Sequence, residues 1–512
     1  MSTRTGVRPV PAVAGTERRR WAAVFALARF EARELMLQIP VFVFFLAHLA
    51  HTVWKLATPE GEDAHPVLQD VDRATQTMPT LPALALLICV NAAVGRSRRH
   101  RTDEQFGVLA MEPWRRTVAH LLSAVPFALF TALVVAAEVV RAVSAPGAVG
   151  RLSPGELVVG PLTVLLFGVV GALIGRLTRF APAAVLAAVV GSYILGVTVA
   201  SALGGPRWMR WLAPVVPEDA GDPLPSDLLG RPAGWHALYL LGLTLLLCCV
   251  AVLAGGARSR LLTAAAAGSA VLTLTGAVGQ SAGDPSALVA ARVTASATPE
   301  KVQTCVRHDG STYCAFPEWA GRTAEWADTV RRVRALAGGA AADTALTVRQ
   351  RVEARRGPGQ DSALAPASTP GQVSVGARWG GTRVPEFAVA VASVLVTGDE
   401  ETGASVCDGR VVTTMWLALG TAADPMAELR RVRLDDDVSG GSVVHTPTEP
   451  LLISAPQTTV VRELLQRPRH RVAADVRAHW DELTAPGTST ARVAELLGVP
   501  LPGRPGDNVC GA

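Results

Sequence analysis

Residues 157–175 read LVVGPLTVLLFGVVGALIG, a run from Leu157 to Gly175 with no charged side chain. A bilayer core about 30 Å thick is crossed by about 20 mostly apolar helical residues, so this stretch predicts a membrane span. Six other runs meet or approach the same standard: Leu35–Trp54, Met78–Val94, Thr117–Ala137, Phe180–Leu203, Trp235–Ala254 and Leu261–Gln280, the last being the least apolar and rich in Ala, Gly and Thr. A chain of 512 residues with 49% hydrophobic residues and mean hydropathy +0.31 is too apolar for one soluble enzyme. Seven spans account for the excess. The polar or mixed first thirty-odd residues run straight into a full-length span, so no cleavable signal peptide is expected.

Arginine bias orients the spans. With the N-terminus inside, the segments 1–34, 95–116, 176–179 and 255–260 hold 17 Lys plus Arg, whereas the loops on the other side hold 7, and the first of those is acidic (Glu60, Glu62, Asp63, Asp70, Asp72). This excess sets an N-terminus in the cytoplasm, and an odd number of spans carries everything after Ser281 to the opposite side. The pI near 9 comes wholly from the membrane half, which has 24 basic against 17 acidic residues before Ser281 and 24 against 26 after it. The positive charge therefore reflects topology, and no nucleic-acid partner is expected.

Cysteine placement tests that parity. Cys89, Cys248 and Cys249 lie within spans, where cysteine serves as a small apolar residue. Cys305, Cys314, Cys407 and Cys510 all follow the last span, and an even set in an oxidising compartment predicts disulfides. In CVRHDGSTYC the dipeptide Asp309-Gly310 is a type I′ hairpin signal. Counting back from that turn pairs Cys305 with Cys314 at a non-hydrogen-bonded position, with Cα atoms about 4.5 Å apart, within disulfide range. Cys407 and Cys510 pair by elimination. A zinc site using Cys305, Cys314 and His308 fits no usual ligand spacing.

No known catalytic pattern accounts for the chain. The only lysines, Lys55 and Lys301, do not follow a glycine-rich phosphate-cradling turn, which excludes a P-loop ATPase. HExxH, CxxC and a dinucleotide fingerprint are absent. The chain is expected not to be an enzyme and to need no cofactor or metal. Asp435, Asp436 and Asp437 lack the alternating spacing of a calcium loop. His470 and His479 fall on opposite sides of a helix.

Two segments carry functional expectation. Trp21, Val24, Phe25, Ala28, Ala32 and Leu35 recur at helical spacing among Arg18, Arg19, Arg20, Arg29 and Arg33, which predicts an amphipathic helix on the inner membrane surface. The loop RSRRHRTDEQFGVLAMEPWRRT, residues 96–117, places Phe106, Leu109, Ala110 and Pro113 at helical spacing behind a charged start, with Thr102 or Asp103 as a cap. It predicts a docking surface for a cytoplasmic partner; a loop that only fixes topology is the plainer alternative.

This layout resembles the permease subunits of type-2 ATP-binding-cassette (ABC) exporters, in which an interfacial helix precedes span one and a short coupling helix between spans two and three contacts the ATPase subunit. The resemblance covers about residues 18–256. It assigns the ATPase contact to Thr102, Asp103, Glu104, Phe106, Leu109 and Pro113, although the Gly-Thr pair common in the family is missing, and it places a loop that dips back into the membrane at 204–234. It implies a cytoplasmic ABC ATPase subunit as partner and pairing as a homodimer or heterodimer with a second permease. Charged residues inside the spans are scarce, which argues against an ion-coupled secondary transporter. Gly171 and Gly175 permit close helix contact, within the subunit or at a dimer seam. Glu138 and Arg141 form an expected ion pair at the end of the third span, and His48 and His51 share a face of the first.

The expected fold is a polytopic α-helical membrane protein, a six-span ABC permease-like core plus a seventh span, with a C-terminal mixed α/β extracytoplasmic domain. Its parts are a disordered cytoplasmic tail (1–17), the interfacial helix (18–34), seven transmembrane helices (35–280) and the outer domain (281–512), set in the lipid bilayer of a bacterial plasma membrane. In the outer domain, helices are expected over 318–336, 423–432, 460–466, 472–483 and 490–497, and strands over 305–314, 346–352, 372–375, 411–417 and 451–453. The rival reading is a membrane-anchored extracytoplasmic binding or sensing protein without transport activity.

Overall fold

The structure, a computed structural model, describes residues 15–99, 111–178, 180, 182–200, 207–216, 221–358, 364–435 and 442–500. Among the described residues, five helical stretches are long and apolar enough to cross a membrane: Ile39–Ala57, Pro113–Val143, Pro154–Leu177, Ala233–Ala254 and Arg260–Ala297. They coincide with the first, third, fourth, sixth and seventh expected spans. The second and fifth are shorter apolar helices, Thr80–Val94 and Ala183–Ala200.

In chain order the membrane half comprises α1 (Gly15–Met36), α2 (Ile39–Ala57), the short α3 (Leu68–Ala74), α4 (Thr80–Val94), α5 (Pro113–Leu122), α6 (Val125–Val143), α7 (Pro154–Leu157), α8 (Val159–Leu177), α9 (Ala183–Ala200), α10 (Arg207–Leu212), α11 (Ala233–Ala254) and α12 (Arg260–Ser281). Proline opens α2, α5, α6 and α7 at the first or second position, where its missing N–H removes no helical bond. The amphipathic helix begins earlier than expected. Residues 15–17, expected in the tail, are helical.

The centre of the bundle is α4 against α8. A fifteen-residue helix rises only about 22 Å, but α4 buries Ala83, Leu86, Leu87, Cys89, Val90, Ala93 and Val94 among other helices, so protein rather than lipid meets much of its length. Glycines let α8 approach. A methyl group at Gly171 would overlap the Leu87 carbonyl, and one at Gly175 would lie 2.9 Å from Val94 Cβ. The pair therefore packs within the subunit, which answers the choice left open by the sequence. Gly242 of α11 and Gly276 of α12 serve the same purpose.

The outward faces are apolar. Ile39, Phe42, Leu46 and Val53 on α2, Leu129 and Leu133 on α6, Val185 and Leu186 on α9, and Leu261, Val271, Leu274 and Val278 on α12 are all exposed. An apolar surface of this extent is unfavourable in water and suits a hydrocarbon surround.

The C-terminal half has a separate core. Strands β1 (Thr304–His308), β2 (Ser311–Ala315), β3 (Thr347–Gln350) and β4 (Gln372–Val375) form a mixed sheet in that order, β1–β2 antiparallel and the other pairs parallel. Strands β5 (Arg433–Asp435), β6 (Ser442–Val444) and β7 (Leu451–Ile453) form an antiparallel sheet. The hairpin register is as expected, His308 opposite Ser311 and Cys305 opposite Cys314, with positive φ at Asp309 (48°) and Gly310 (81°). Cys305 and Cys314 are disulfide-bonded with Cα atoms 4.1 Å apart. Cys407 is also disulfide-bonded, while Cys510 lies outside the described residues.

Two helices pack on the larger sheet, α13 (Thr323–Arg334) and α14 (Arg383–Thr397), and α15 (Arg410–Leu419) packs against both of them to fill the core. Trp319, Trp326, Phe387, Met415 and Trp416 are among its fully buried side chains. Two expectations fail here. The stretch 411–417, expected as a strand from its β-branched residues, is the helix α15, and α14 was not anticipated at all. Both are buried on every side, so neither shows the one-sided periodicity that distinguishes a helix from a buried strand.

Candidate functional site

The two ends of the helix bundle differ in chemistry. At one end, the loops after α2, α6 and α9 meet the C-terminal domain. Val67 and Val149 form a parallel bridge between the first two of these loops, and Val67, Val149, Leu224 and Leu228 join the hydrophobic core of the domain. Gly150, at φ +90°, lies so close to Gln69 Oε1 that any side chain would overlap it. Gln69 in turn donates to Leu224 O (2.8 Å) and accepts from Arg151 N (3.2 Å).

Arginines fasten this junction. Arg322, fully buried, donates to the carbonyls of His65 (2.6 Å), Pro66 (3.3 Å), Gly147 (3.3 Å) and Ala377 (3.1 Å). Burial pulls its guanidinium down to about 10, opposed by Glu325 and Glu62. Arg378 pairs with Glu62 (3.5 Å), Asp70 (3.2 Å) and Asp222 (3.5 Å), and Arg383 with Glu62 (3.0 Å). A cavity of about 250 Å³ at this seam is lined by Lys55, Glu60, Asp63, His65, Asp70 and Arg378 among others. Its charges are largely engaged with one another. No three His, Cys, Asp or Glu gather as metal ligands among the described residues.

Beneath the seam lies a buried polar group whose members, Asp72 apart, the sequence did not single out. Glu156 of α7 accepts from Arg231 Nε (2.8 Å) and from Gln76. Arg231 stacks over Trp211 at 5.1 Å, and His236 Nδ1 meets Gln280 Oε1 at 2.9 Å. The carboxylate of Asp72, a residue 1% exposed, accepts one hydrogen bond among the described residues, from Ser153 N at 2.7 Å. These residues lie at helix ends, adjoining apolar runs, so a search for charges within the runs passes over them. The expected Glu138–Arg141 pair does not form: Glu138 accepts instead from Thr52 of α2 (2.5 Å). His48 is buried in the bundle.

At the opposite end, α1 is clamped to the start of α5. Arg115 bonds Glu17 (3.0 Å) and Glu112 (3.1 Å), and its guanidinium lies over Trp21 (5.6 Å) and Trp114 (4.9 Å), whose rings meet edge-on at 6.1 Å. Further along α1, Glu31 pairs with Arg96 at 3.5 Å; burial pushes its carboxyl up, Arg96 opposing and Glu34 reinforcing. Val24, Ala28 and Leu35 are the face of α1 turned to the protein, while Phe25, Phe30 and Met36 stay exposed. Pro113, expected in the ATPase contact, is the first residue of α5. Thr102, Asp103, Glu104, Phe106 and Leu109 lie outside the described residues.

One catalytic-looking spacing exists. Gly279-Gln280-Ser281-Ala282-Gly283 matches the GxSxG of a nucleophile elbow, which requires a strand before the serine and a helix after it. Here Ser281 ends α12, and its hydroxyl donates to Ala277 O at 2.6 Å. The spacing has no catalytic context. No protein family, curated protein or solved structure matches this chain.

Proposed function

We propose that this protein is the membrane-spanning permease subunit of a type-2 ABC exporter in a bacterial plasma membrane, with the α1 end cytoplasmic and the C-terminal domain outside. In this reading a separate ATPase subunit supplies the energy, and the permease works as a homodimer or heterodimer. The observation that supports it most is the Arg115 clamp, which joins the amphipathic helix to the residues directly following the 100–110 loop, at the end of the bundle opposite the C-terminal domain. Force on that loop would pass to α5 and α1 together, and from α5 into the bundle. Rigid helices carry such a displacement to the far end as a body.

The test is co-purification from the native membrane. A P-loop ATPase is expected in the complex, and Glu104→Arg or Leu109→Ala is expected to deplete it several-fold while the permease itself still accumulates. Arg115→Ala should weaken the contact less, because it loosens the platform and leaves the contact residues in place. If no ATPase associates and the loop tolerates charge reversal, transport is the wrong reading and a membrane-anchored binding or sensing protein takes its place.

A further inference from the structure

The buried polar group beneath the seam contains one carboxylate whose charge is poorly compensated. Asp72 Oδ2 accepts from Ser153 N, and Oδ1 has no donor among the described residues. Arg73 on the same helix is bonded to Asp70, and Arg231 to Glu156. Four residues on, Gln76 is fully buried; its Nε2 is committed to Glu156, and its Oε1 also has no donor. Two enclosed oxygens of this group are thus without a donor among the described residues. A buried carboxylate in this position is expensive, and the usual relief is a proton.

We propose that Asp72 is a proton-binding site whose neutral carboxyl locks the first inter-span loop onto the start of the fourth span. The proton resides on Oδ1, the enclosed oxygen that has no donor among the described residues. Oδ2 keeps the Ser153 amide. Loss of the proton leaves an ionised carboxylate near Glu156 and weakens the attachment of residues 68–76 to residues 153–156. This inference concerns the loop itself and stands apart from the transport reading.

Among the described residues the charged groups that act on Asp72 are Glu156 on α7, Arg73 on α3 and Arg231 ahead of α11; Asp70 lies on α3 itself, and Glu138 and Arg141 lie on α6, which packs against α3. Arg378 of the C-terminal domain reaches Asp70. Glu218 and Asp219 lie outside the described residues. The balance favours the neutral form. Burial is the largest influence and raises the Asp72 carboxyl to about 7, with Glu156 adding to the rise and Ser153, Arg73 and Arg231 opposing it. Because the folded value lies above the unfolded one of 3.8, the stabilising contribution is complete below the unfolded value and is lost as pH rises through about 7.

The test uses the full chain in lipid nanodiscs. Infrared difference spectra between pH 5.5 and 8.5 should contain a protonated-carboxyl band that Asp72→Asn removes. Thermal unfolding should show the wild type losing stability from pH 5.5 to 8.5 relative to Asp72→Asn, whose amide is neutral throughout. Ser153→Pro, which removes the donor to the ionised carboxylate, should move the midpoint of the band to higher pH and serves as the readout if Asp72→Asn does not accumulate. Parallel stability profiles for wild type and Asp72→Asn, an unchanged band, or an unmoved midpoint in Ser153→Pro would each overturn the proposal.

Discussion

Arg322 illustrates how much a single side chain can decide. Its guanidinium satisfies carbonyls from the first inter-span loop, the third inter-span loop and the C-terminal domain at once, and among the described residues no carboxylate pairs with it. Removing it would leave the carbonyls of His65 and Gly147 without their donor, while Pro66 O keeps Val149 N (3.1 Å) and Ala377 O keeps Trp319 Nε1 (2.8 Å). A hydrogen bond to a charged group contributes about 1.5–3 kcal/mol, and unpaired buried acceptors add to the loss. Arg322→Met is therefore expected to lower stability by about 3 kcal/mol, read as a fall in thermal midpoint of the solubilised chain. Arg322→Lys should recover little, because an ammonium cannot fan out to carbonyls on three sides. Nothing in the sequence sets Arg322 apart from the other arginines after Ser281, since its partners lie as far as 257 positions away. The cysteine hairpin is the opposite case: the pairing of Cys305 with Cys314 was legible because turn chemistry and strand alternation act over ten residues.

At the scale of elements, glycine spacing controls how helices meet. Gly171→Ala would gain about 1 kcal/mol of helix propensity, but its methyl group would press on the backbone carbonyl of Leu87. Overpacking against an immovable neighbour costs about 1–3 kcal/mol. The loss is expected to win. Gly268→Ala on α12, where a methyl group meets nothing within 4 Å, should be neutral or stabilising. Size-exclusion profiles after a heat challenge should separate the two, with less monodisperse protein for Gly171→Ala than for wild type and no loss for Gly268→Ala. Two of the elements misjudged or missed, α14 and α15, share a cause. Sequences such as VVTTMWL favour strands when one face is wet, yet tertiary packing overrides that preference when burial is complete. Elements with one polar face, among them α1, α13 and Ala455–Gln466, were anticipated in kind and approximate position.

For the whole molecule, the central result is that the bundle has two distinct ends. The C-terminal domain shares one of them with the loops after α2, α6 and α9, the three loops that arginine bias assigns to the same side of the membrane as the domain. Covalent topology and tertiary contact agree on which segments lie together. The side itself is open to direct measurement. In intact cells, an impermeant maleimide should label Lys301→Cys, an exposed position of the C-terminal domain, and spare Arg19→Cys on α1 until the membrane is permeabilised. Labelling of the reverse pattern would invert the orientation and remove the cytoplasmic docking surface on which the transport reading depends.

What the sequence determined by itself is the set of apolar helices: apolar run length is a local quantity, and a bilayer acts on it without reference to the rest of the fold. It also specified the Cys305–Cys314 hairpin, for the same reason of short range. Only the tertiary structure decided that α8 packs on α4 through its glycines, that Arg322 and Arg378 join loop to domain, and that Asp72 is enclosed near Glu156. Each of these depends on burial created by segments remote in the chain, and burial is what turns an ordinary arginine or aspartate into a structural or proton-binding group.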